Sequence, residues 1–264
     1  MDNQAAGGMS LRVLLTNDDG IFAEGLRALA GCFHQVAETF IVAPDHEQSA
    51  TGHAITMHRP LRAEQVKMPL TPDVPAWYVN GTPADCVKLA VESLLPGRPD
   101  LVVSGINRGS NLGTDVLYSG TVSAAIEAVI LGIPAIAVSL TEHRENYYDH
   151  AAGFICRLAG VLWQRGINSD VLLNINVPAC LPEEIRGVAV TRLGVRQYRN
   201  AFESRKDPRG RTYYWLAGEL VDTEDGDDSD VSAVKSNKIS VTPIHYDLTN
   251  YGLIGELQNW KIEL

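Results

Sequence analysis

Cysteine is scarce: Cys32, Cys86, Cys156 and Cys180 are the four in 264 residues, and none shares a CxxC or Cys/His spacing with another. That excludes a disulfide framework and a thiolate zinc site, and predicts reduced thiols packed inside a cytoplasmic chain. Basic charge is also short, with 22 Lys and Arg against 32 Asp and Glu for a formal net charge of −10. Neutralising a nucleic-acid backbone takes clustered cations, so a nucleic-acid polymer is excluded as a general partner. A small anion is not excluded, because a bound cation reverses the local potential. No apolar stretch approaches the roughly 18 residues that span a bilayer, so no membrane partner is expected. Residues 1–10 lack the basic start and apolar centre of a secretory signal and read as a disordered lead-in. The P-loop GxxxxGK[ST], the dinucleotide GxGxxG, the GxSxG elbow and the HExxH metal helix are all missing.

What is present is a rhythm. Short runs rich in Val, Ile and Leu at 12–16, 39–43, 77–79, 100–104, 135–139 and 171–177 alternate with helical spacing. Leu26, Leu29, Ala30 and Phe33 recur on one helical face, as do Val122, Ala125, Ile126, Val129 and Ile130. Nearly continuous apolar strands separated by helices predict a doubly wound, mostly parallel α/β sheet covered on both faces. The character changes near residues 178–182, so the expected organisation is a lead-in (1–10), a catalytic core (11–182) and a C-terminal arm (183–264). In that arm, 188–193 and 212–217 are expected to pair as a hairpin with an Arg-rich tip. An acidic loop at 222–230, a strand at 238–244 and a short helix follow.

Ligands of open α/β sheets bind beyond the carboxyl ends of the strands, so the residues after each strand carry the chemistry. The first strand is followed by Asn17-Asp18-Asp19-Gly20. Adjacent carboxylates at a buried strand end repel, and both stay ionised at modest cost only with a cation between them; a plain Asp-Gly turn is the alternative. The second strand leads to a loop rich in oxygen donors, in which Ser49 offers a hydroxyl. After the third, Thr82, Pro83 and Asp85 read as cap, first turn and capping box of a helix, with Asn80 and Gly81 placed to line a ligand pocket. The fourth is followed by Ser104-Gly105-Ile106-Asn107-Arg108-Gly109-Ser110-Asn111, and then by Ser119-Gly120-Thr121 at a helix start suited to a phosphate. Ser119 or Thr121 serving only as a cap is the competing account. Oxygen donors from three strand ends favour Mg²⁺ or Mn²⁺ over zinc.

The segments LLTNDDGIFAEGLRAL, VAPDHEQSATGHAIT, VNGTPADCVKLA and PDLVVSGINRGSNLGTDVLYSGTVSAAIEA, with LLNINVP and KISVTPIHYDLTN, resemble the survival protein SurE nucleotidases from residue 11 onward. The resemblance implies a Rossmann-like core that holds one divalent cation per subunit on Asp18, Asp19, Ser49 and Asn107. It implies hydrolysis of nucleoside 5′-monophosphates, with 3′-monophosphates and short polyphosphate as further substrates. A C-terminal arm swapped between the subunits of a homodimer or homotetramer belongs to the same picture. Asp18 and Asp19 are then the catalytic pair, Asp19 handling a metal-activated water. Ser119, Gly120 and Thr121 cradle the phosphate, with Asn111 within reach. A nucleotide sensor that kept the fold without catalysis is the alternative from another class.

Overall fold

The computed structural model describes residues 11–142, 147–166, 168–199, 202–221 and 226–260. The lead-in at 1–10 and part of the acidic loop, 222–225, lie outside the described residues. In chain order the elements are β1 (Arg12–Thr16), α1 (Glu24–Phe33), β2 (Glu38–Pro44), β3 (Ala63–Val66), β4 (Ala76–Val79), α2 (Pro83–Leu89) and β5 (Leu101–Arg108). Next come α3 (Gly120–Ile130), β6 (Ala135–Leu140), α4 (Tyr148–Arg165), β7 (Leu172–Val177), β8 (Val188–Val190) and β9 (Gln197–Arg199). The last are β10 (Phe202–Lys206), β11 (Thr212–Leu216), β12 (Glu219–Val221), α5 (Asp230–Lys235), β13 (Ile239–Ile244) and α6 (Tyr251–Asn259).

Nine strands form one sheet in the order β3-β4-β2-β1-β5-β6-β7-β13-β8. The six from β4 to β7 run parallel, while β3 and β13 run antiparallel to their neighbours β4 and β7. Side chains alternate across a strand, so a run such as RVLLT needs cover on both faces. Val13 and Leu15 pack with Leu26, Leu29 and Phe33 of α1 and Ile155 of α4. Leu14 packs on the opposite face with Val87 of α2 and Val122 and Ala125 of α3. The fold is thus the doubly wound α/β sheet that the sequence predicts. Thr82 accepts from the Asp85 N–H and Asp85 from the Thr82 N–H, so α2 starts with the expected capping box.

From β1 the chain proceeds through β2 and β4 to one side, and from β5 through β6 and β7 to the other. The direction reverses between β1 and β5, and the carboxyl ends of those two strands border the switch point. Gly25 lets α1 lie against β5 there: a Cβ on it would fall 2.0 Å from the Ile106 carbonyl oxygen.

The C-terminal segment departs from expectation. The 212–217 run pairs as β11 with β10, antiparallel, and not with 188–193. β8 instead lies parallel to β13, which is itself the neighbour of β7, so both strands extend the core's own sheet. The hairpin tip is a tight turn in which the Asp207 carboxylate accepts from the backbone N–H groups of Arg209 and Arg211. Ile130 of the second helical face is about half exposed. The four cysteines are free thiols. Among the described residues no helix is long and apolar enough to cross a membrane.

Candidate active site

The turn after β1 projects two carboxylates from the sheet. Asn17 donates from Nδ2 to the Gly20 carbonyl at 2.9 Å, closing the turn. Gly20, at φ +99°, takes a conformation that L side chains rarely adopt. Asp18 is buried. Its Oδ1 accepts from the Thr121 hydroxyl, and its carboxylate also accepts from the Thr121 backbone N–H at the start of α3. A Cβ on Gly120 would lie 2.8 Å from both Cβ and Oδ2 of Asp18. Only a glycine lets the positive end of this helix come so close to the carboxylate. Burial, opposed by the Thr121 bond and reinforced by the charge of Asp19, pushes the Asp18 pKa up to about 6. The lift measures the difficulty of holding a negative charge there. Asp19 is less buried, and its Oδ2 accepts from the Arg108 N–H at 3.2 Å.

Other donors come from further loops. The Gln48 N–H donates to the Asp18 carbonyl at 2.8 Å, which ties the loop after β2 to the end of β1. Ser49 on that loop donates to Glu47 at 2.5 Å. Asn107, near the end of β5, commits its amide N–H to the Gly109 carbonyl at 2.8 Å, leaving its carbonyl oxygen to a ligand. Asn111 is clamped by β7. Its N–H donates to Asn176 Oδ1 at 2.8 Å, and its carbonyl accepts from Asn174 and Asn176 at 2.9 and 3.0 Å.

Asp18, Asp19, Ser49, Asn107, Asn111 and Ser119 come together on the wall of one cavity of about 710 Å³. The same wall carries Glu47, Arg108, Asp115, Tyr118 and Tyr198, none of which the sequence reading names as site residues. Arg108 follows Asn107 and Glu47 precedes Ser49 by two, but a charged loop residue carries no signal that tells a cavity from solvent. Tyr198 arrives from β9 with no local signal. Arg196 and Tyr198 both donate to Asp115 Oδ2, at 2.9 and 2.7 Å. Their segment is held by Asp230, a fully buried carboxylate that accepts from the N–H groups of Gly113 and Gly194, each at 2.8 Å. One arginine of the Arg-rich segment therefore serves the cavity wall, while Arg205 pairs locally with Glu203.

Asn80 and Gly81 lie outside the cavity lining: Asn80 Oδ1 accepts from the Arg62 N–H at 2.7 Å, and Gly81 packs against Leu61 and Asp85. Ser119 is the cap of α3, its Oγ accepting from the Val122 N–H at 3.1 Å. Gly120 and Thr121 meet Asp18, so a carboxylate of the protein itself lies against the helix end expected to face a phosphate.

Among the described residues no group of three or more His, Cys, Asp or Glu is placed to hold a metal ion. Asp18, Asp19, Ser49 and Asn107 offer two carboxylates and two neutral oxygens, a hard donor set that fits an oxygen-seeking divalent cation and not zinc. The strained ionisation of Asp18 beside Asp19 is what such a cation relieves.

Fold and site define a doubly wound α/β protein with paired carboxylates at its switch point and a cavity sized for a small ligand. The profile of the family described as Survival protein SurE matches residues 13–200, and the chain belongs to that family. A Heliobacterium modesticaldum protein named 5′-nucleotidase SurE is 57% identical over 250 residues, covering 95% of this chain and 92% of that protein. A protein of the same name from Carboxydothermus hydrogenoformans is 55% identical over 254 residues, covering 95% and 96%. The crystal structure of the SurE protein from Aquifex aeolicus matches with a TM-score of 0.82 at 40% identity, covering 95% of this chain and 100% of that one.

Proposed function

We propose that the protein is a divalent-metal-dependent phosphatase that hydrolyses nucleoside 5′-monophosphates to nucleoside and phosphate. The observation that carries this reading is the meeting of Asp18 and Asp19 with Ser49 and Asn107 on one cavity wall, together with relatives named 5′-nucleotidase SurE. Asp18, Asp19, Ser49 and Asn107 would hold one Mg²⁺ or Mn²⁺ per subunit. When bound, that ion supplies Lewis-acid neutralisation of developing phosphoryl charge and a lowered pKa for water.

The protein's own groups do the rest. Asp18, locked by Thr121, is an immobile ligand. Asp19, steadied by the Arg108 N–H, orients the attacking water and accepts its proton. Asn111 and Ser119 border the phosphate, and Tyr118 and Tyr198 offer flat faces to the nucleoside at the same cavity. Bulk water suffices to protonate the leaving ribose oxygen. Direct attack by an aspartate is disfavoured, because such phosphatases space two Asp one residue apart and here they are adjacent.

We assign 3′-monophosphates and short polyphosphate as secondary substrates and the cytoplasm as the place of action. Assembly as a homodimer or homotetramer is part of the proposal, through a swapped portion of the arm at 183–264 outside β8 and β13, which stay in the chain's own sheet. Phe202, Trp215, Leu216 and Trp260 are exposed there, as a subunit contact requires. The deciding experiment is phosphate release from AMP or GMP by EDTA-stripped protein, with and without Mn²⁺. Release should appear only with metal, and Asp19→Asn should lose at least about 100-fold in kcat while keeping its melting curve. Nucleotide binding without release would favour a sensor, and wild-type turnover by Asp19→Asn at saturating Mn²⁺ would remove Asp19 from the chemistry.

A further inference from the structure

We infer that the guanidinium of Arg108 binds the phosphate of the substrate, exchanging a loose contact with Glu47 for the phosphate oxygens. The inference rests on the phosphatase reading and deepens it. Among the described residues lining the cavity, Asp18, Asp19, Glu47 and Asp115 are acidic and Arg108 alone is basic. A phosphomonoester carries close to two negative charges at neutral pH, so this wall repels it. A divalent cation held by Asp18 and Asp19 would do no more than balance the charge of that pair. Asp115 is balanced by Arg196 at 2.9 Å, with both side chains largely buried. What remains is Glu47 against Arg108, and the incoming dianion finds net attraction only if Arg108 turns to it.

The geometry leaves Arg108 free to turn. Its root is fixed, since its backbone N–H donates to Asp19 Oδ2 and its neighbour is Asn107. Its Nη2 lies 4.0 Å from Glu47 Oε2, with the two side chains 52% and 53% exposed. A solvated pair at that distance contributes little. An arginine fork on phosphate makes two parallel charge-assisted bonds and displaces it. Arg108, Glu47 and Asp19 also line a second cavity of about 290 Å³ on the α1 side, bordered by Glu24 and Tyr148. The guanidinium thus stands between two open volumes.

The test is steady-state AMP hydrolysis at saturating Mn²⁺ by wild type, Arg108→Ala, Arg108→Lys and Glu47→Gln. Arg108→Ala should lose about 10- to 100-fold in kcat/KM, with inhibition by inorganic phosphate weakened in step. Arg108→Lys, which keeps the charge without the fork, should lose less. Glu47→Gln should lower KM. The Mn²⁺ concentration for half-activation, and Mn²⁺ affinity by calorimetry, should stay within about twofold in Arg108→Ala, because its backbone N–H still reaches Asp19. A kcat/KM within about twofold of wild type, or a loss that tracks weakened Mn²⁺ binding, would overturn the inference. Should Arg108→Ala fail to fold, Arg108→Gln carries the same expectations. A wild type that releases no phosphate refutes the phosphatase reading instead, so the two failures are told apart.

Discussion

Protonation of Asp18 links the site to stability in a way that can be measured without substrate. Its pKa stands at 3.8 when unperturbed and at about 6 in the folded protein, chiefly through burial. The folded state therefore holds a proton between those values that the unfolded chain has already released. Stability contributed by this group is complete below pH 3.8, falls as pH rises towards 6, and is constant above it. About two pKa units correspond to about 3 kcal/mol. Other carboxylates slope the opposite way on acidification, so the useful quantity is a difference. Asp18→Asn has the same shape and no titration. Urea unfolding of EDTA-stripped wild type and Asp18→Asn from pH 4 to 8 should show the variant gaining on wild type by about 3 kcal/mol up to pH 6, then running parallel. Saturating Mn²⁺ should abolish most of the gain, since the cation takes the proton's place. A difference that is flat to within about 0.5 kcal/mol across that range would refute a buried, strained carboxylate at position 18.

Two other substitutions test the scaffold around it. Gly120→Ala puts a methyl 2.8 Å from the Asp18 side chain, and should cost about 1–3 kcal/mol in urea unfolding while weakening Mn²⁺ binding measured by calorimetry; unchanged metal affinity would show that Asp18 can move aside. Glu127 is buried and accepts from His53 at 2.9 Å and Lys88 at 3.1 Å, and its pKa is lowered, chiefly by His53, below the ordinary 4.5. Its contribution is thus present above that value and lost as pH falls through the lowered one. Glu127→Ala should cost about 1–3 kcal/mol at pH 7 and speed proteolytic nicking at residues 46–58, the loop that His53 tethers; an unaltered cleavage rate would dismiss the tether.

The sheet was largely legible because its strands are covered on both faces and so are continuous in apolar residues. β1 matches its predicted bounds, and β2, β6 and β7 differ from theirs by one residue at one or both ends. β3 was not legible: AEQV is half exposed and has no apolar run. Pairing in the C-terminal segment was misread, because 188–193, 202–206 and 212–217 are all short and largely exposed. Nothing local tells such strands which partner a distant turn will bring. The placing of Asp18, Asp19, Ser49 and Asn107 at one cavity was legible from the rule that ligands bind beyond strand ends. Glu47, Arg108 and Asp115 were not, since charged loop residues look alike whether they face solvent or a cavity. Gly120 and Thr121 drew attention as a helix start that attracts negative charge, and the Asp18 carboxylate lies against that start.

The staple at Asp230 has a consequence for synthesis. It stands 117 residues after Gly113 and 36 after Gly194, so a growing chain can lay down every strand from β1 to β7 and present both aspartates while the Tyr198 side of the vestibule is still unanchored. At usual ribosomal speeds the interval from Val177, the end of β7, to Asp230 lasts roughly 3–11 s. During that time the nascent polypeptide has both aspartates of the proposed cation site without the anchored Tyr198 wall beside them.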